Sequence, residues 1–182
     1  TPAPTHHRIA KDCLLAGKDV FVEKPMTLTA AESEDLVQTA EKHGRILMVG
    51  HLLLYKPAIQ FIREWLSQGG LGRVFTYHQE RMKLGKARSV ENALWSLGVH
   101  DVAALLHIAG EAPQEVSFSG HCGLQAGIED DTYLHMRFKD GRIAHLHNSW
   151  LWPEDRRGLR VIGEKGMLVY DEKAETVTLV KK

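Results

Sequence analysis

Two short segments, Phe21-Val22-Glu23-Lys24-Pro25 and Val99-His100-Asp101-Val102, bring together residue types that do chemistry. Lys24 follows an apolar run at 19–22 that reads as a strand, and it directly precedes a proline that stops the backbone from continuing as strand or helix. The carboxyl end of a parallel strand is where open α/β sheets bind ligands, so a lysine there can offer an ammonium to a bound molecule. His100 bears an imidazole, which titrates near working pH, whereas a lysine needs desolvation before it can serve as a base. A fixed cation and a proton carrier together suggest half of an active site. Each has a plainer reading by itself. An isolated Lys-Pro pair is usually a solvated loop, and a histidine on a face with Leu97, Ala104 and Leu105 is usually a core residue.

The elements that must position these residues are legible along the chain. Thr5 is placed to cap a helix over 6–16, with Ile9, Cys13 and Leu14 at helical spacing and Gly17 as C-cap. A buried strand follows at 20–22. Thr29-Ala-Ala-Glu32 is a capping box that opens a helix turning Ala31, Leu36, Val37 and Ala40 inward and stopping at His43-Gly44. A second strand runs over 46–49. Helix, strand, helix, strand with short loops is the later portion of a doubly wound parallel sheet. From Pro57 the pattern changes. A helix at 58–66 ends in Gln68-Gly69-Gly70-Leu71-Gly72, and an alternating strand covers 73–83. These glycines follow a helix and precede a strand, the reverse of a phosphate loop. After a polar loop at 84–89 come one long helix at about 91–109 and strands at 114–119, 131–138, 142–151, 160–163, 167–170 and 176–180, with glycine-bearing turns at 139–141 and 164–166. The expected fold class is thus the second half of a Rossmann-type doubly wound sheet at 1–56, followed at 57–182 by a largely antiparallel sheet domain with one long helix.

Composition excludes several classes of function. The 182 residues are 43% apolar, enough for a real core, and 23 basic residues balance 23 acidic ones. Without a basic run, attraction to nucleic acid or an anionic membrane is not indicated. No segment reaches the length of a membrane span, and no signal peptide is evident. Cys13 and Cys122 are far apart, which fits buried thiols in a reducing compartment and a cytoplasmic setting. Thr1 at the start and a strand at the end give the expectation that the chain is a piece of something longer.

The run from Thr1-Pro2 and His6 through Ala16-Gly17-Lys18-Asp19-Val20-Phe21-Val22-Glu23-Lys24-Pro25, with the later Gly98-Val99-His100-Asp101-Val102, resembles the Gfo/Idh/MocA oxidoreductases over essentially the whole chain. The resemblance implies NAD or NADP as cofactor and a sugar, cyclitol or nucleotide-sugar substrate. The family's Gly-rich fingerprint has no counterpart here. Hydride transfer from a secondary alcohol requires that its hydroxyl proton be removed and the charge developing on oxygen be steadied. By position in the family, His100 takes the first task and Lys24 the second. Where many members have aspartate four residues before the histidine, this chain has Ser96, whose hydroxyl bonds without holding charge. Thr1, Pro2, His6, Glu23, Lys24 and Pro25 are expected to line the cofactor. Lys24, His51, Tyr55, Ser96 and His100 are expected to contact substrate. Leu52-Leu53-Leu54 and Leu94-Trp95-Ser96 are similar to members acting on nucleotide-linked amino sugars.

His135, His145 and His147 share a strand face, but no carboxylate or cysteine joins them at metal-site spacing, so no metal site is expected. Trp150 and Trp152 alternate with Leu151, which predicts an aromatic sheet face and, with the family resemblance, a homodimer or homotetramer through the C-terminal sheet. The leading expectation is an NAD(P)-dependent sugar or nucleotide-sugar dehydrogenase whose isolated 182-residue piece is inactive. The alternatives are a non-catalytic sugar-sensing or assembly protein of the same family and an NAD-dependent glycosidase.

Overall fold

The helix expected after Thr29 forms because its two ends are chemically marked. Thr29 Oγ1 accepts the Glu32 amide at 3.2 Å, and the left-handed Gly44 closes the other end. The Glu32 carboxylate completes the box one residue early, on the Leu28 amide. Thr5, by contrast, turns its hydroxyl back to the Pro2 carbonyl at 2.7 Å and caps nothing, because a short 3₁₀ turn, Ala3–Thr5, already leads into the first helix. The computed structural model describes every residue except 86 and 87, two positions of the polar loop expected at 84–89. The chain divides into two units, Thr1–Leu52 and Leu53–Lys182.

In the first unit, α1 (His6–Leu15) precedes β1 (Val20–Val22), and α2 (Ala30–His43) crosses over to β2 (Leu47–Val49). The two strands pair in parallel, Val20 with Leu47 through Val22 with Val49. Ala10 and Leu14 of α1 pack with Leu36 and Ala40 of α2, flanked by Val20 and Leu47. Ala31 and Val37 face solvent instead of the core, the inward stripe being Leu36, Thr39 and Ala40. Phe21 and Met48 point to the opposite side of the sheet and are exposed.

The second unit packs α3 (Pro57–Ser67) and α4 (Val99–Ala109) on a seven-stranded sheet of order β4-β5-β6-β3-β7-β8-β9. Its strands are β3 (Val74–Met82), β4 (Glu115–His121), β5 (Asp131–Arg137), β6 (Ile143–Ser149), β7 (Arg156–Gly163), β8 (Gly166–Asp171) and β9 (Thr176–Lys181). Ile59, Ile62, Ala104, Leu105 and Ile108 of the helices meet Tyr77, Leu146, Leu159 and Val161 of the sheet in one apolar core. The sheet is largely antiparallel, as expected, with one parallel pairing at its centre, β3 with β6. The long helix also departs from expectation: Leu94–Gly98 forms a π-helical turn before α4 begins.

The tryptophans part company. The chain bends just after β6, so Trp150 turns inward, buried, with its indole on Ser96, while Trp152 meets His147 edge-on at 5.9 Å. The predicted one-sided aromatic face is therefore not formed.

Candidate functional site

In the first unit the candidate residues gather at the carboxyl end of β1. His6 is the staple. Its Nδ1 lies 2.8 Å from the Pro25 carbonyl and its Nε2 2.9 Å from the Thr1 carbonyl, tying the segment after β1 to the turn before α1. The ring is buried with both nitrogens engaged. Glu23 accepts the Lys24 amide through Oε2 at 3.3 Å. A Cβ on Gly50 would stand 3.2 Å from that same carboxylate oxygen, so the end of β2 closes tightly on Glu23. The Lys24–Pro25 peptide is cis.

His51 follows β2. Burial lowers its pKa, and the charge of Lys24 lowers it further, so the imidazole is held neutral while Nδ1 is buried with no hydrogen-bond partner among the described residues. Lys24 and His51 thus belong to one electrostatic neighbourhood. Beside it, β1 pairs with β2 on one edge, and its other edge borders an open cleft of about 340 Å³ lined by Ile9, Cys13, Val20, Val22, Thr1 and His6.

Neither helix of this unit offers an anion a ready seat. Entry to α1 passes through Pro2 and Pro4, and the start of α2 is already satisfied by Thr29 and crowded by the Glu32 carboxylate.

In the second unit, His100 is the second residue of α4 and is half-buried. Ser96 lies in the π-helical turn, buried, with its hydroxyl directed to the Ala93 carbonyl and accepting the Trp150 indole N–H at 3.1 Å. That puts the hydroxyl in the protein interior, where the sequence reading expected a substrate contact. Tyr55 is exposed in the 3₁₀ turn before α3.

The most developed polar feature is one that sequence reasoning missed. Asp101, adjacent to His100 and fully buried, accepts from Arg81 Nε at 2.8 Å, Gln79 Nε2 at 3.1 Å and Asn148 Nδ2 at 2.8 Å. Arg81 also forks onto Glu172, with one contact of 2.5 Å, and Lys56 stands 3.8 Å from that glutamate. Burial pushes the Asp101 carboxyl above its ordinary range, and Arg81 and Asn148 draw it only partly back; its three hydrogen-bond partners are nevertheless all donors, so the carboxylate is the form they satisfy. Burial also pushes Glu172 up, but the hydrogen bond and charge of Arg81 outweigh it and leave that carboxyl below its ordinary range. The signal that could have revealed the network was parity. Gln79 and Arg81 share the strand face of inward Tyr77, and Asn148 shares that of inward Ala144 and Leu146.

The expected histidine cluster lies on the sheet face away from the helices. His135 Nδ1 is 2.6 Å from His145 Nδ1, and His78 stacks on His145 at 5.1 Å. His147 does have a carboxylate, Asp131 Oδ1 at 2.7 Å, supplied by the cross-strand neighbourhood rather than by spacing along the chain. Among the described residues no group of three or more His, Cys, Asp or Glu is arranged to hold a metal ion. Neither cysteine is paired; Cys122 is exposed, contrary to the expectation of two buried thiols. No described helix is long and apolar enough to cross a membrane.

Comparison with known proteins follows the same division. Residues 1–51 match the oxidoreductase family with an NAD-binding Rossmann fold, and residues 59–169 match the GFO/IDH/MocA C-terminal domain. The chain is 30% identical over 162 residues to UDP-N-acetylglucosamine 3-dehydrogenase of Acidithiobacillus ferrooxidans, covering 88% of this chain and 50% of that protein. It is 28% identical over 171 residues to 2,7-anhydro-N-acetylneuraminate hydratase of Mediterraneibacter gnavus, covering 85% and 45%. The chain therefore spans about half the length of the curated relatives it matches. Among solved structures, the same Acidithiobacillus ferrooxidans dehydrogenase superimposes with a TM-score of 0.88 at 27% identity, over all of this chain and 59% of that one. GenD2 from gentamicin A biosynthesis, solved in complex with NAD, gives 0.86 at 27% identity over 94% of this chain and 52% of its own.

Proposed function

Because the chain belongs to the Gfo/Idh/MocA family of oxidoreductases, we propose that it is part of an NAD- or NADP-dependent enzyme that oxidises or reduces a secondary hydroxyl of a sugar or nucleotide-linked sugar. The observation that carries this reading is the stapled segment 23–25: a lysine at the carboxyl end of a parallel strand, held on both sides by His6 and Glu23, with its charge felt by a neutral, half-buried His51. In this reading residues 1–56 are the cofactor-side portion and residues 57–182 the substrate and assembly portion.

The residues present suit the nicotinamide end of such a cofactor and not its pyrophosphate, since neither helix N-terminus is open to a phosphate. Thr1, Pro2, His6, Glu23 and Pro25 form the wall on that side. When bound, the nicotinamide supplies the acceptor or donor of hydride. Lys24 presents its ammonium to the substrate oxygen and steadies the charge that grows there. His100 takes the hydroxyl proton on oxidation and returns it on reduction. The buried Nδ1 of His51 is suited to a second substrate hydroxyl, and Tyr55 lies exposed for the more distant part of the substrate. Ser96 supports the turn that leads into His100.

The test is steady-state turnover of the full-length protein with NAD and NADP against UDP-N-acetylglucosamine, myo-inositol and scyllo-inositol, following reduced nicotinamide. His100→Ala and Lys24→Ala should each lower kcat/KM by about 10²–10⁴, the range for a positioned acid–base or charge-stabilising group. A full-length protein that binds neither nicotinamide cofactor would overturn the assignment. The likeness to the hydratases favours a second reading, in which oxidation is transient and the cofactor is regenerated. Product formation without net reduced nicotinamide would select it. Assembly as a dimer or tetramer through the helix-free face of the sheet, in a reducing cytoplasmic setting, completes the proposal, and light scattering measures the copy number.

A further inference from the structure

We infer that Asn148, acting through Gly98 and Asp101, is the positioning residue for His100. The inference rests on His100 being the proton carrier proposed above.

To aim a side chain, an α-helix must be fixed in its rotation about its own axis. Apolar contacts such as those of Ala104, Leu105 and Ile108 hold α4 on the sheet, but they are non-directional and fix its rotation only loosely. Rotation matters here, because neighbouring residues on a helix differ in direction by about 100°. If Asp101 is pinned toward the sheet, His100 is turned by that angle toward the flank of the helix, where it is half-buried. The pinning is directional and complete. Arg81 and Asn148 are register partners on the central parallel strands β3 and β6, and both donate to the one carboxylate, with Gln79 beside them.

Asn148 does more than donate. Its side chain is fully buried, and a carboxylate can only accept, so Nδ2 must face Asp101 and Oδ1 must face the other way. There Oδ1 is left without a hydrogen-bond partner among the described residues, pressed against the backbone of Gly98. A Cβ at position 98 would lie 2.3 Å from that oxygen. The asparagine is thus wedged under the junction where the π-helical turn Leu94–Gly98 becomes α4, a place only glycine leaves open. Extra residues in π-helical turns re-aim the helix that follows, and an unsatisfied buried carbonyl is kept where something depends on it. Both features lie within two residues of His100.

The tests use the full-length protein. In the wild type, amide exchange should show the first half of α4, Val99 to Ala104, protected as strongly as Leu105 to Ile108. A frayed first half would overturn the inference without any variant. Asn148→Leu conserves volume and removes the donor, and Gly98→Ala expels the wedge. In each folded variant the His100 ring resonance, assigned with His100→Gln and followed by NMR titration, should change its midpoint. kcat should fall 10- to 100-fold while substrate KM and cofactor Kd move less than about threefold, as expected for a misplacement on the order of 1 Å. Unchanged His100 titration and unchanged kcat in folded Asn148→Leu would sink the inference. Failure of the redox reading is separately visible, because the wild type would then bind no nicotinamide while the titration and exchange results still stand.

Discussion

The guanidinium of Arg81 serves two carboxylates, the fully buried Asp101 on α4 and the half-buried Glu172 in the turn between β8 and β9. A buried ion pair adds little over a well-packed apolar replacement, yet removing one member alone is costly because the others keep their charge without a partner. Arg81→Leu should therefore destabilise the second unit by about 3–5 kcal/mol. Urea unfolding followed by tryptophan fluorescence measures it, and a loss under 1 kcal/mol would mean the carboxylates find other donors. Legibility at this scale was uneven. Lys24, His51 and His100 stood out by type and setting, and His6 was noticed but assigned to cofactor, because nothing along the chain reveals that both its nitrogens meet carbonyl oxygens. Arg81, Gln79 and Asn148 went unnoticed because an alternating strand reads the same whether its polar residues face water or a buried carboxylate.

Helices and strands emerged close to their expected positions because periodicity, Thr29 and the glycines at 17, 44 and 110 mark them strongly. The π-helical turn did not, since an apolar pattern continued through 94–109 cannot disclose one extra residue in a turn. Pairing was hidden too. Alternation tells which face a side chain takes but not which strand lies alongside, so the row His135, His145 and His78 across β5, β6 and β3 was only partly foreseen. That row has a consequence for acid stability. The Nδ1···Nδ1 contact needs one ring to donate and the other to accept, so the pair tolerates at most one extra proton. Neighbouring charges give no relief: Glu80 is paired with Arg160, Glu115 with Arg137, and Asp131 with His147. Burial first, then the charges of His78 and His135, lower the His145 pKa. The unfolded chain takes up this proton at the ordinary histidine pKa and the folded one resists it, so stability is full above about 6.5 and declines as pH falls below. Thermal melts at pH 7.5 and pH 5 should show the decline, and His145→Gln should reduce it. Equal pH dependence in variant and parent would acquit the row.

For the whole molecule, the two units differ in how much each can do alone. The first has two strands, two helices on one side, and Phe21 and Met48 exposed on the other. The second has a large core and a seven-stranded sheet. A polypeptide of these 182 residues by themselves should therefore show folded second-unit signals but bind nicotinamide cofactor at least 100-fold more weakly than the full-length protein, a loss of about 2.7 kcal/mol or more. Titration calorimetry on both decides it, and comparable affinities would mean the phosphates are gripped somewhere within residues 1–52.

The strand order has a temporal side. β4-β5-β6 and β7-β8-β9 are each stitched by neighbours in the chain, yet they meet only through β3, made some sixty residues before β6. Two ribbons can zip early from local turns, but the seam that unites them must wait for the earliest-made strand to be captured between two late ones. Pulse-labelling during refolding should accordingly find the amides of Val74–Met82 shielded last, after both flanking ribbons. Once captured, that strand is the rivet of the sheet, and its amides should be released only when the entire unit comes apart.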